Sequence, residues 1–156
     1  MPRVAIALGS NLGDRRHHLE TAIDLLMPHL RQALVSSFIE TPAEGVTDPQ
    51  PPYLNAALVG EAQLLPAALL KRLLSIEEQL GRTRPYWGAP RIIDLDLILY
   101  GDVRLFEPGI QVPHPRFRER RFVLAPLAEI APELIDPTTG KTVADLLVDL
   151  ELAELR

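Results

Sequence analysis

Apolar and polar positions recur along this chain in two periods, and together they predict a mixed fold. Arg3 to Leu8 (RVAIAL) is a short apolar run that stops at the turn formers Gly9-Ser10-Asn11-Leu12-Gly13-Asp14, so a strand is expected to run into a turn there. From Arg15 onward, Leu19, Ile23, Leu26, Met27 and Leu30 return at steps of three and four, the stripe of an amphipathic helix with Asp14 placed to cap it. Pro28 falls inside that stripe and is expected to kink the helix or end it a turn early. Leu34 to Glu40 (LVSSFIE) and Tyr53 to Glu61 (YLNAALVGE) read as a second and a third strand. Between them, Thr41 to Pro52 is a loop stiffened by Pro42, Pro49, Pro51 and Pro52.

A second helix is expected over Pro66 to Leu80, with proline at its first turn and Gly81 just past its end. Gly81 to Arg91 reads as a loop, Ile93 to Tyr100 (IDLDLILY) as a fourth strand, and Gly101 to Arg120 as irregular with a short strand near Val103 to Leu105. Arg121 to Ile130 and Val143 to Leu155 carry helical periodicity, the latter with Thr142 as N-cap. Several strand-to-strand links are too short for crossover helices. The expected class is therefore an α+β sandwich on a mainly antiparallel sheet, in one domain spanning residues 1–156.

Composition narrows the function. With 47% hydrophobic and 24% charged residues the chain has the material for a packed core, which excludes disorder. The lack of cysteine excludes a disulfide scaffold, a Cys-ligated zinc, an iron–sulfur cluster and thiol chemistry, so any metal must be held by oxygen or imidazole. No apolar run approaches the roughly 18–20 residues of a membrane span, and the N-terminus lacks the apolar stretch of a secretory signal. A cytoplasmic protein that engages no membrane is expected. A net charge of −5 argues against general nucleic-acid binding. Of 16 basic residues, 14 are arginine. Genome composition or thermal adaptation explains such a bias blandly; bidentate recognition of phosphate or carboxylate explains it functionally.

Position separates these readings. Asp94 and Asp96 lie inside the fourth strand, where alternation puts Ile93, Leu95, Leu97 and Leu99 on one face and both carboxylates on the other. Their Cα atoms are then roughly 6–7 Å apart, a spacing that suits oxygen ligands gathered around Mg²⁺. The alternative is a solvent-facing strand decorated with polar residues. Seven arginines, Arg82, Arg84, Arg91, Arg116, Arg118, Arg120 and Arg121, bracket this pair within 40 residues that also hold Arg104. Carboxylate-bound Mg²⁺ bracketed by guanidinium groups is the arrangement expected for a polyphosphate, although each arginine taken singly reads as surface charge. His114, between Pro113 and Pro115, either donates to a phosphate or satisfies its own turn. Tyr53 and Asn55 share a strand face, where a ring and an amide can recognise a flat heterocycle or simply be half-buried. The Gly9–Asp14 loop lacks the lysine and spacing of a P-loop and reads as a capped turn.

Seven segments in order, ALGSNLGD (Ala7–Asp14), ETP (Glu40–Pro42), YLNAA (Tyr53–Ala57), IEEQLGRTR (Ile76–Arg84), APRIIDLDLILYG (Ala89–Gly101), VPHPR (Val112–Arg116) and RRFVLAPLAEIAPEL (Arg120–Leu134), resemble the 6-hydroxymethyl-7,8-dihydropterin pyrophosphokinase family of folate biosynthesis. The resemblance implies a ferredoxin-like sandwich with helices on both faces of an antiparallel sheet. It implies transfer of the β,γ-diphosphate of ATP to the pterin hydroxymethyl group, with release of AMP. It also implies that Asp94 and Asp96 are ligands of two Mg²⁺ ions, and that Arg82 and Arg91 act with them in catalysis. Glu77, Arg82, Arg84, Trp87, Arg91, His114 and Arg120 are implied on the ATP side, and Thr41, Pro42, Tyr53, Asn55 and Phe122 around the pterin. A monomer binding ATP and a reduced pterin, with no nucleic-acid partner, is expected. The chain departs from the family pattern in the extra residue Ala89, at Leu74, where a glutamine is common, and at Gly109, where some members place an arginine. Two other readings are an RNA-binding domain on the same scaffold, disfavoured by the acidic total, and a metal phosphohydrolase in which water replaces the pterin hydroxyl.

Overall fold

A computed structural model describes residues 1–43, 49–81 and 92–156. Its elements are β1 (Arg3–Ser10), α1 (Arg15–Leu26), β2 (Leu30–Val35), β3 (Ile39–Thr41), β4 (Tyr53–Ala62), α2 (Pro66–Gln79), β5 (Asp94–Tyr100), β6 (Leu105–Glu107), β7 (Ile110–Val112), α3 (Arg121–Ile130) and α4 (Val143–Glu154). The main sheet runs β2-β4-β1-β5, with β3 also on β4, and every pairing is antiparallel. β1 and β4, the two longest strands, lie side by side at its centre, so both of their faces must be covered.

Alternation along these strands divides the interior in two. Val4, Ile6 and Leu8 of β1, Leu54, Ala56 and Leu58 of β4 and Leu95 and Leu97 of β5 form one cluster with Leu19, Ala22, Ile23 and Leu26 of α1 and Leu69, Leu73 and Ile76 of α2. Ala5, Ala57, Val59 and Leu99 point the other way, onto Val123, Leu124 and Leu127 of α3, Val143 and Leu146 of α4, and Phe117. The result is the expected α+β sandwich with helices on both faces.

Local chemistry explains the element ends. Asp14 accepts from the His17 N–H at 3.2 Å and Thr142 from that of Asp145 at 3.1 Å, so both expected caps form. Pro28 ends α1 at Leu26, and a 3₁₀ turn, Met27–His29, leads into β2.

Four expectations are corrected. Leu30 belongs to β2 rather than to the α1 stripe. The strand expected over Leu34 to Glu40 is two strands, because the Ser36 hydroxyl takes the Ala57 N–H at 2.8 Å in place of a ladder carbonyl and breaks the run. The irregular stretch after Gly101 contains a hairpin, β6 with β7, which turns through Gly109 at φ 85°. Leu99 does not share a face with Leu95 and Leu97. Ala5 pairs with Leu99 but Ile6 pairs with Leu97, so Ile98 is an extra residue and the bulge turns the strand over.

Candidate active site

The site forms on the α3/α4 face of the sheet, at the end where β1 leaves it and β4 and β5 enter. Gly9 is paired with Asn55 on one side and Asp94 on the other, so one row across three strands reads Asn55, Gly9, Asp94. The next row reads Ala57, Ala7, Asp96. Adjacent strands place paired Cα atoms about 5 Å apart, which sets Asn55 roughly 10 Å from Asp94. The residues between them are the smallest available. A Cβ on Gly9 would lie 3.0 Å from Asn55 Oδ1 and 3.3 Å from Tyr53 Cδ1, so the bare backbone there makes room for both side chains.

Both carboxylates stand half-buried on this face, as alternation predicts. Between them the strand is held from behind, since the buried Glu77 of α2 accepts the Leu95 N–H at 2.8 Å. Glu77, expected on the nucleotide side, thus also ties α2 to the strand carrying the aspartates.

Opposite this pair, the chain between β7 and α3 brings up a cationic corner. The His114 N–H donates to the carbonyl of Ile98, the bulged residue of β5, at 2.9 Å. The bulge therefore anchors the histidine beside the aspartates. His114 Nδ1 accepts from the Arg116 N–H at 3.1 Å, which leaves the proton of the neutral ring on Nε2, ready to donate. Burial and the Arg120 guanidinium push the His114 pKa down to about 4, against the pull of Asp94. Arg120 itself sits between a 3₁₀ turn (Phe117–Glu119) and α3, with its guanidinium 5.7 Å from the Phe122 ring.

On the other flank, Thr41 pairs with Tyr53, and Asn55 Nδ2 donates to Thr41 Oγ1 at 2.6 Å. The amide is thereby fixed in orientation, and its oxygen lies over Gly9. Pro42 follows on the exposed surface. Phe122, in the first turn of α3, packs half-buried against the cluster on this same face.

The arginine set divides in two. Arg116 and Arg120 both act on His114. Arg118 instead points away, forking onto the buried Asp136 at 2.6 and 2.9 Å, and Arg121 reaches Glu151 and Glu154 of α4 at 3.4 and 3.8 Å. The reading of Arg118 as part of a phosphate-neutralising set is corrected, since its fork is occupied by Asp136; Arg121 is exposed, and its Nη1 alone lies near the two glutamates. Arg82, Arg84, Trp87 and Arg91 lie outside the described residues.

The sequence pattern also missed a clamp. Arg15 Nη1 donates to the Pro52 carbonyl at 2.8 Å and Nη2 to Glu40 at 3.2 Å, while Asn11 Nδ2 donates to Gln50 Oε1 at 3.0 Å. The turn after β1 thus fastens the end of the proline-rich loop, a long-range role that a reading of local turn chemistry does not reveal.

Two half-buried carboxylates suit Mg²⁺, which binds one or two protein carboxylates and takes its other ligands from phosphate and water. Among the described residues no third His or acid joins them to complete a protein-only metal cage. The donor set fits a metal that arrives with a polyphosphate.

Fold and site together define a ferredoxin-like α+β protein with an acidic pair, a cationic corner and a tethered amide on one sheet face. The chain belongs to the 7,8-dihydro-6-hydroxymethylpterin-pyrophosphokinase (HPPK) family, whose model matches residues 5–132. It is 41% identical over 149 residues to the 2-amino-4-hydroxy-6-hydroxymethyldihydropteridine pyrophosphokinase of Synechocystis, covering 94% of this chain and 75% of that protein. With the Bacillus subtilis enzyme of the same name it shares 44% identity over 137 residues, 86% of this chain and 81% of that one. Among solved structures it is similar to an HPPK-DHPS in complex with substrates, at a TM-score of 0.79 and 14% identity over 99% of this chain. A Plasmodium falciparum HPPK-DHPS gives 0.74 and 16% over 95%. The chain spans less than half the length of those two structures, which at such identity show the fold alone.

Proposed function

We propose that Asp94 and Asp96 carry the metal-bound triphosphate, and Asn55 with its neighbours the pterin, in the reaction of this family. That reaction is transfer of the pyrophosphoryl group of ATP to hydroxymethyldihydropterin in folate synthesis. The hydroxymethyl oxygen forms a bond to the β-phosphorus, the bond from that phosphorus to the oxygen bridging it to the α-phosphate breaks, and AMP leaves with that oxygen while the hydroxyl proton is lost. Two Mg²⁺ ions, when bound with ATP, supply Lewis acidity and charge neutralisation at the phosphates.

The protein's own groups do the positioning. Asp94 and Asp96 present oxygen donors on one face at the spacing of alternate strand residues. His114, neutral at pH 7, offers its Nε2–H as a donor to a phosphate oxygen, and Arg120 adds charge beside it. Arg82 and Arg91 complete the cationic side in this reading, and Glu77, Arg84 and Trp87 the nucleotide side. Asn55 offers an acceptor and a donor whose directions the Thr41 hydroxyl sets, and that pairing is matched to the edge of a ring carrying both. Thr41, Pro42 and Tyr53 frame that edge, and Phe122 offers an aromatic face for the ring to stack on.

The observation that carries this assignment is the row Asn55, Gly9, Asp94. It sets the ring-reading amide and the metal-binding carboxylate on one face two strand spacings apart, the reach of a pterin and its hydroxymethyl arm. We further assign the whole of residues 1–156 to one domain that acts as a monomer in the cytoplasm. No helix among the described residues is long and apolar enough to cross a membrane.

The test is AMP release from ATP with and without 6-hydroxymethyl-7,8-dihydropterin, in Mg²⁺ and in EDTA, for the native chain and for Asp96→Ala. AMP is expected only with pterin and Mg²⁺, and the variant is expected to lose about 10³-fold in kcat with an unchanged circular dichroism spectrum. Full turnover by the folded variant would refute the metal assignment.

A further inference from the structure

Arg118 and Asp136 form a buried ion pair that no step above uses. Asp136 is fully buried and Arg118 partly so, and the fork is bidentate, Nε to Oδ2 at 2.6 Å and Nη2 to Oδ1 at 2.9 Å. The same carboxylate accepts the Thr138 N–H at 3.1 Å and the Thr139 hydroxyl at 2.8 Å. Although burial pushes its pKa up, Arg118 and the two threonines hold it below the ordinary carboxylate value. Its backbone is fixed as well, with the Asp136 N–H donating to the Lys141 carbonyl at 2.9 Å and its carbonyl accepting from Gly140 at 2.8 Å. Asp136 is therefore a rigid post in the connection between α3 and α4.

What hangs on that post is the turn bearing the cationic corner. Arg118 is the middle residue of the 3₁₀ turn Phe117–Glu119, and it is gripped on both sides: its guanidinium lies 4.7 Å over the Phe117 ring, and Phe117 is fully buried in the core under α3 and α4. The turn is closed by Glu119 N–H to Arg116 carbonyl and Arg120 N–H to Phe117 carbonyl, both at 3.1 Å. With residues 117 and 118 pinned inward, Arg120 at the end of the turn is left beside His114, while Arg116 at its start acts on the histidine and also lies 3.9 Å from Glu119. A fork fixes rotation as well as distance, which a single apolar anchor at Phe117 cannot do.

We propose that the Arg118–Asp136 pair is the positioning device that aims Arg120 and His114 at the triphosphate, so that a salt bridge on the far side of the turn sets the affinity for ATP. This rests on the reading of Arg120 as a phosphate contact. Arg118 touches no substrate; it acts through Arg120.

A buried ion pair can often be replaced by well-packed apolar residues without loss of stability, so the test is the double variant Arg118→Met/Asp136→Leu. A second variant, Arg118→Lys, keeps the charge but loses the fork and stands in should the first not fold. Steady-state kinetics for both substrates, thermal melts, and a double-mutant cycle with Arg120→Met are measured. The expected result is a KM for ATP raised roughly tenfold, with kcat and the KM for pterin within about twofold. Arg120→Met should reproduce that rise in the native background and add little in the Arg118→Met/Asp136→Leu background, because the two changes remove one interaction. If the pair variants melt like the native chain and leave the KM for ATP unchanged while Arg120→Met raises it, the positioning role is overturned and the phosphate reading stands. If Arg120→Met itself leaves that KM unchanged, the phosphate reading falls first, and this inference with it.

Discussion

The two faces of the sheet are written by the same strands and used for opposite ends. On the α1/α2 face, β1 and β4 present Val4, Ile6, Leu8, Leu54 and Leu58, each at most 9% exposed, and the layer is filled. On the α3/α4 face, the intervening positions at the site end are Ala7, Gly9, Asn55 and Ala57. Large side chains fill the first face; on the second, small ones leave space that the Asn55 amide and the Tyr53 ring take over Gly9. The difference teaches that small residues on the site face let a polar amide be buried in the row that holds Asp94, while stability is supplied one residue away on the other side of the same strand.

Substitutions on each face should separate these two properties. The largest expected effect is on the filled face. Leu58→Ala removes a fully buried side chain and should cost about 2–5 kcal/mol in a urea melt, while the protein that remains folded keeps its kcat and both KM values. A drop in kcat per folded molecule would mean that the faces are not independent. A smaller effect is expected on the site face. Gly9→Ala sets a methyl 3.0 Å from Asn55 Oδ1, and the amide, tethered to Thr41 at 2.6 Å, has little room to yield. The KM for pterin should rise severalfold, about 1–2 kcal/mol of strain, with the KM for ATP unchanged; equal rises in both would dissolve the division of the site into a ring side and a phosphate side.

A third effect concerns pH. His114 should titrate near its displaced value of about 4 in the ligand-free protein, followed by NMR of its ring protons. Between the ordinary value of 6.5 and about 4, the unfolded chain takes up a proton that the native chain refuses. This histidine's contribution to stability is thus present above pH 6.5 and is lost as pH falls through that window. A midpoint near 6.5 would show that the ring is open to water and that the cationic corner does not press on it.

Much of this could be read from local pattern because its causes are local. Asp14 and Thr142 cap their helices within three residues, Pro28 acts on its own turn, and Asp94 and Asp96 share a face because strand alternation requires it. The readings that failed did so where the deciding partner is distant. Ser36 breaks a strand because it meets Ala57, and Arg118 is structural because Asp136 reaches it from the C-terminal third. An arginine cluster in sequence looks uniform; only its carboxylate partners in space distinguish the guanidinium that is spent from the one that faces the site. The bulge at Ile98 left no mark in its own residues either, since Ile98 and Leu99 are apolar and suit either face.

The sequence by itself therefore determined most of the elements, the antiparallel class and, through seven ordered segments, the family, since periodicity, caps and short links act over a few residues. Tertiary structure alone decided which side chains meet. It put Asn55 and Asp94 on either side of Gly9, hung His114 from the bulged carbonyl of Ile98, and turned Arg118 away while leaving Arg120 beside the histidine. The reason is physical: a strand pairing or a salt bridge depends on residues brought together only when the sheet closes, and no window along the chain contains both partners.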